Sequence, residues 1–207
     1  GVIINSVMNS TSQVSLNYNP FSSTALTGVV GALYEPLFYM NNLKDDPTKL
    51  EPLMGKSYTI SDDAKTIDVT IRDGEKWSDG EPYTTEDVAY TFNLLNSNKA
   101  LNTSGFAGSA KVLSDTEVRI TLDKPESVNA LSYLSGTMIV PKHVWEKIDD
   151  PVTNTNKDAV GSGPFTVKGG NFSPTAYTFK KNPYYWDEGK PEIDGVRYVL
   201  ITGGTQA

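Results

Sequence analysis

The chain has 207 residues, of which 38% are hydrophobic, with 3 Trp, 11 Tyr and 7 Phe, and carries a net charge of -7. With no cluster of Lys and Arg to meet phosphate, that balance excludes a nucleic-acid surface, and the lack of any cysteine excludes disulfides, thiolate catalysis and Cys-based zinc sites together. The apolar content suits one large or two modest cores, and no apolar run reaches the ~18 residues that a membrane span needs.

In chain order, residues 2–7 are apolar-biased and predict a strand. The loop Asn17-Tyr18-Asn19-Pro20-Phe21-Ser22-Ser23 follows, and residues 24–33 are expected to form a helix in spite of Gly28 and Gly31. Glu35 precedes Pro36 and is kept out of regular helix. It suits either a polar ligand group or the closing of that helix.

Residues 58–60 and 66–71 read as a hairpin. Ile67, Val69 and Ile71 alternate with Thr66, Asp68, Thr70 and Arg72, which places the apolar side chains on one face, and Ser61-Asp62-Asp63-Ala64 is turn chemistry. After a Gly-rich turn, Thr84-Thr85-Glu86-Asp87 fits a capping box, with acidic side chains at the positive helix end. Val88, Phe92 and Leu95 then form an apolar stripe to lie on the hairpin. Val118, Ile120 and Leu122 alternate as a strand, residues 127–134 read as helical, and a helix is expected over residues 143–148. Strands are expected at residues 165–167 and 177–179.

The wording of these segments resembles a known family. Arg72-Asp73-Gly74, Trp77-Ser78-Asp79-Gly80, Pro82, Thr84, Glu86-Asp87-Val88 and Tyr90-Thr91-Phe92 match a run of the family 5 extracellular solute-binding proteins, the receptors of oligopeptide, nickel and some oligosaccharide ABC importers. Leu33-Tyr34-Glu35-Pro36-Leu37-Phe38, Ile139-Val140-Pro141-Lys142-His143-Val144-Trp145, Gly161-Ser162-Gly163-Pro164-Phe165 and Lys181-Asn182-Pro183-Tyr184-Tyr185-Trp186 agree in the same order.

The resemblance implies a mixed α/β (α+β) fold, a periplasmic-binding-protein type II-like lobe with an inserted subdomain, truncated before the second lobe. Residues 1–40 plus 158–207 would form the incomplete ligand-binding lobe and 41–157 the inserted structural subdomain. It implies an extracytoplasmic substrate-binding component, in the periplasm or lipid-anchored at the cell surface, that hands an oligopeptide, or alternatively an oligosaccharide, to an ABC permease. A signalling or adhesion module on the same fold is the other reading. No catalysis, cofactor or resident metal is expected, and the fragment is expected to be monomeric.

In that architecture the loop after the first strand lies at the cleft, so Asn17, Tyr18, Asn19, Phe21, Tyr34 and Glu35 are the candidate ligand-binding residues. Asn17-Tyr18-Asn19-Pro20-Phe21 also resembles the loop of oligosaccharide-binding members. The other tempting residues have plainer readings. His143 is the sole histidine, set at a helix start, and no nucleophile with an orienting partner is evident nearby in sequence. Asp73, Glu75, Asp79 and Glu81 lack an EF-hand's third oxygen ligand, because Trp77 stands there. Gly161-Ser162-Gly163 has neither phosphate-loop nor dinucleotide-turn spacing and is expected to supply positive φ at a bend. Trp77, Trp145, Trp186, Tyr184 and Tyr185 are expected to pack the scaffold.

Overall fold

The computed structural model describes residues 1–9, 12–46 and 48–201. From β1 (Ile3–Asn9) the chain passes the short pair β2 (Phe38–Tyr39) and β3 (Glu51–Pro52). It then forms β4 (Gly55–Ile60), β5 (Thr66–Ile71), α1 (Thr85–Ser97), β6 (Gly108–Val112) and β7 (Glu117–Leu122). After α2 (Ser127–Gly136) and α3 (Lys142–Trp145) it ends in β8 (Phe165–Ser173), β9 (Ala176–Lys181) and β10 (Gly195–Ile201). Ser10, Thr11, Pro47 and residues 202–207, some of which fall in the expected lobe spans, lie outside the described residues.

Two four-stranded sheets result. In the first, the order is β1-β10-β9-β8, with β1 parallel to β10 and the other neighbours antiparallel. The second is wholly antiparallel in the order β4-β5-β7-β6. The predicted hairpin is there, with Ile60 opposite Ile67. The period of two delivers Ile67, Val69 and Ile71 from β5, and Val118, Ile120 and Leu122 from β7, into one core, each burial contributing about 1.5–3 kcal/mol. Across the same pair, Asp68 and Arg119 stand in register and form a two-bond ion pair of 2.7 and 2.6 Å.

Helix α1 lays Val88, Phe92 and Leu95 into the protein, all buried. Its start is set by the capping box. Asp87 does more than cap: its carboxylate accepts from the Thr84 amide at 2.8 Å, the Trp77 indole at 3.1 Å and the Lys142 amide at 2.8 Å. One side chain therefore ties the Gly-rich turn, α1 and the start of α3 together.

Two apolar clusters are recognisable, one against each sheet. Tyr34, Met138, Val140 and Trp145 belong with Tyr177, Phe179 and Tyr198 of the first sheet. Leu37, Phe38 and Ile139 belong with the second. Neighbouring residues of two segments thus enter different cores, and these segments meet where the Ile139 amide donates to the Glu35 carbonyl at 3.3 Å.

Three local expectations are corrected. Residues 24–33 are a series of turns ending in one irregular coil over Val29–Leu33, with Val30 and Gly31 out of helical geometry. Gly28 and Gly31 both take positive φ, 90° and 94°, which breaks the helical repeat at two points. The helix expected over 143–148 is the four-residue α3, continued only by tight turns in which Lys147 and Ile148 donate to carbonyls three residues back. Gly161 and Gly163 do not adopt positive φ. They are required by close approach instead: a Cβ on Gly161 would lie 1.9 Å from the Leu33 carbonyl oxygen, and one on Gly163 2.4 Å from that of Ala32.

Candidate ligand-binding site

The loop after β1 is held by its own asparagines. The Asn17 amide donates to Ser22 Oγ at 2.9 Å and Thr24 Oγ1 at 3.0 Å, while its carbonyl accepts from the Asn19 backbone. Asn19 is buried; its amide donates to the carbonyls of Pro151 and Asn154, both at 2.9 Å, and its Oδ1 accepts from the Phe21 amide. Side chains of this type satisfy the backbone where no ladder exists.

Tyr18 is pinned from both sides. Its amide donates to Thr155 at 2.8 Å and its carbonyl accepts from the Asn156 side chain at 3.0 Å. That Asn156 amide also donates to the Tyr34 hydroxyl at 2.7 Å. Tyr34 is fully enclosed, and burial holds its phenol well above the ordinary tyrosine range. The Tyr18 ring meets Phe179 edge-on at 5.6 Å, and burial pushes its hydroxyl up to about 12. Phe21 is half-buried and packs edge-on against Trp145 at 5.4 Å.

The structure therefore brings Asn17, Tyr18, Asn19 and Phe21 into one loop and links Tyr34 to it through Asn156. Glu35 stands apart. Its two oxygens accept from the Tyr185 hydroxyl at 2.7 Å and the Trp186 indole at 3.1 Å, and Trp186 is in turn capped by the Arg72 guanidinium 4.1 Å from its ring. Burial raises the Glu35 carboxyl to about 7 against the lowering effect of both hydrogen bonds. Trp77 and Trp145 are packed inside, whereas Tyr184 keeps 42% of its surface exposed.

Beside Tyr18 opens a cavity of about 380 Å³. Leu16 and Tyr18 form one wall, residues 157–160 with Ser78 and Asp79 another, and β8 with Thr178 of β9 the third. Its lining was not legible from residue types. The one pointer was Gly169-Gly170 inside an otherwise strand-like run, a pattern that marks a bulge or a close approach. The sole histidine pairs instead with Asp79, Nε2 to Oδ2 at 2.7 Å. Among the described residues no group of three or more His, Cys, Asp or Glu is gathered as for a metal, and no helix is long and apolar enough to cross a membrane.

Comparison with known proteins agrees with this architecture. Residues 49–207 match the family model described as bacterial extracellular solute-binding proteins, family 5 middle. The peptidoglycan-binding protein YepA of Agrobacterium fabrum is 30% identical over 201 residues, covering 89% of this chain and 32% of its own length. The dipeptide-binding protein DppE of Bacillus subtilis is 26% identical over 209 residues, covering 88% and 38%. An oligopeptide ABC transporter binding protein of Thermotoga maritima, solved with mannohexaose bound, superposes with a TM-score of 0.85 at 25% identity, covering 97% of this chain and 38% of that one. The chain spans roughly a third of the length of the curated relatives named here.

Proposed function

The chain belongs to the bacterial extracellular solute-binding proteins of family 5, and we propose accordingly that it contributes to capture of an extracellular oligopeptide and its delivery to the membrane permease of an ABC importer. The observation that carries this reading is the family match over residues 49–207. The family is extracellular by description, which supports a place in the periplasm or lipid-anchored at the cell surface. No covalent chemistry is required of it: capture needs a ligand that prefers one state of the receptor over another.

We assign residues 1–40 and 158–207 to the ligand-binding lobe and 41–157 to an inserted structural subdomain. In the ligand-binding lobe Tyr18 and Phe21 offer surface to the solute. Asn17, Asn19 and Tyr34, whose polar atoms are already engaged within the protein, shape that surface, whereas Glu35, with both oxygens taken by Tyr185 and Trp186, lies outside it.

An oligosaccharide is the second reading, favoured by the Thermotoga relative with mannohexaose bound. Isothermal titration calorimetry of the chain against a tripeptide panel and mannohexaose separates the two. Peptide heats with no sugar response support peptide capture, and sugar heats alone support the second reading. Silence from both would contradict solute capture by this chain.

A further inference from the structure

We propose that Asp73-Gly74 is a site of spontaneous main-chain modification, at which Asp73 converts to isoaspartate through a cyclic imide, with water as the only co-reactant. The chemistry needs no bound solute.

The chain holds three Asp-Gly pairs, Asp73-Gly74, Asp79-Gly80 and Asp194-Gly195. An aspartate followed by glycine is the least hindered setting for ring closure, because no Cβ stands beside the attacking amide. The fold treats the three pairs differently. Asp79 is held at both oxygens, Oδ1 by the Glu81 amide at 3.1 Å and Oδ2 by His143 at 2.7 Å, and the Gly80 amide donates to the Trp77 carbonyl at 2.9 Å. The Asp194 carboxylate accepts from the Val2 amide, and Gly195 is buried at the start of β10, between Ile3 and Lys180. At the first pair both reacting groups are free. Among the described residues the Asp73 carboxylate accepts no hydrogen bond and the Gly74 amide donates none.

Space and mobility favour the same pair. Asp73 and Gly74 are both exposed, and Gly74 takes φ +78° with no heavy atom within 4 Å of where a Cβ would stand. The residues on either side are held. The Arg72 amide donates to the Met54 carbonyl at 2.9 Å and its Nε to the Leu53 carbonyl at 2.6 Å, while the Glu75 carbonyl accepts from the Tyr83 amide at 2.9 Å. Asp73-Gly74 is thus an unheld link between two anchored ends, where the carboxyl carbon can swing to within attack distance of the amide nitrogen without breaking a native contact.

The step balances with nothing else supplied. The Gly74 nitrogen attacks the Asp73 side-chain carboxyl carbon, an N–C bond forms, the C–OH bond breaks, and the hydroxyl leaves with the amide proton as water. Water then adds to the main-chain carbonyl of the imide and opens it on that side. The mass returns to its starting value, one methylene has entered the backbone, and the α-carboxylate of Asp73 stands free. That longer link slackens the span between Arg72, whose guanidinium lies over Trp186, and the turn that begins at Trp77.

The test ages the full chain in mildly acidic buffer, where aspartate side chains begin to protonate and can lose hydroxyl as water. Cleavage by a protease that cuts before aspartate but not before isoaspartate, read by mass spectrometry, then reports each pair. Cleavage at residue 73 should be lost at least about tenfold faster than at 79 or 194, the rate equivalent of one engaged charge-assisted hydrogen bond, with a transient species one water lighter at 73–74. Asp73→Glu, which would need a larger ring, should abolish that species. In denaturing urea the three pairs should react at similar rates, which assigns the difference to the fold. Equal rates in the folded chain, faster loss at 79 or 194, the same ordering in urea, or no isoaspartate at residue 73 would each overturn the proposal.

Discussion

The Tyr185 hydroxyl donates to Glu35 across 150 positions of sequence at 2.7 Å, and the neighbouring Trp186 indole satisfies the other carboxylate oxygen. Glu35 sits between Tyr34, which enters the core of the first sheet, and Leu37, which enters the core of the second. A single buried carboxylate therefore docks the Tyr184-Tyr185-Trp186 segment onto the junction of the two cores.

That position makes stability depend on pH. Burial holds the folded Glu35 carboxyl near 7, above its ordinary 4.5, so the folded state binds the extra proton between those values. Stability should be highest at and below about pH 4.5 as far as this group is concerned, fall as pH rises, and level off above about 7, a loss on the order of 3 kcal/mol. Glu35→Gln should flatten that slope in urea melts taken from pH 5 to about 8, and an unchanged slope would exclude Glu35 as its source.

Asp87 should be costlier to lose than an ordinary helix cap. Its removal strands the buried Trp77 indole and the part-buried Thr84 and Lys142 amides, a buried donor costing about 1–3 kcal/mol when unsatisfied. Asp87→Ala should lower stability by at least about 3 kcal/mol, against about 1 kcal/mol for a simple cap. A loss at the simple-cap level in chemical denaturation would show that water replaces the carboxylate.

Gly161→Ala should be severely destabilising for reasons of contact and not of φ. The new Cβ would stand 1.9 Å from the Leu33 carbonyl oxygen, and the same glycine exchanges bonds with Ser78, its carbonyl accepting from the Ser78 amide and its amide donating to Ser78 Oγ. A loss of about 3 kcal/mol or failure to fold is expected. Gly74→Ala, where nothing lies within 4 Å of the new atom but φ is +78°, should cost only about 1 kcal/mol. Equal melting temperatures for the two variants would contradict this ordering.

Much of the second sheet was legible because its rules are local. Alternation at Ile67, Val69 and Ile71 and the Thr84-to-Asp87 spacing each specify geometry within a few residues, and the hairpin and α1 follow them. Residues 24–33 depart from the expected helix because both glycines take positive φ, and at Gly28 a Cβ would strike the Tyr198 hydroxyl, a contact that no local rule contains. The site was harder still. Tyr18, Phe21 and Tyr34 were singled out and do cluster around Asn156 and Trp145, but Glu35 went to a different neighbourhood because its partners lie 150 residues away. The cavity depends on Leu16, Val160 and Phe172 converging from three separate segments, which no spacing rule contains.

The most direct measurement follows Ala-Phe-Ala itself by ligand-observed NMR in the presence of the chain. Reversible line broadening, relieved by excess competing tripeptide, with the peptide chemically unchanged after prolonged incubation, is the predicted result. Growth of hydrolysis or modification products, or sharp peptide lines at every protein concentration, would contradict capture without transformation.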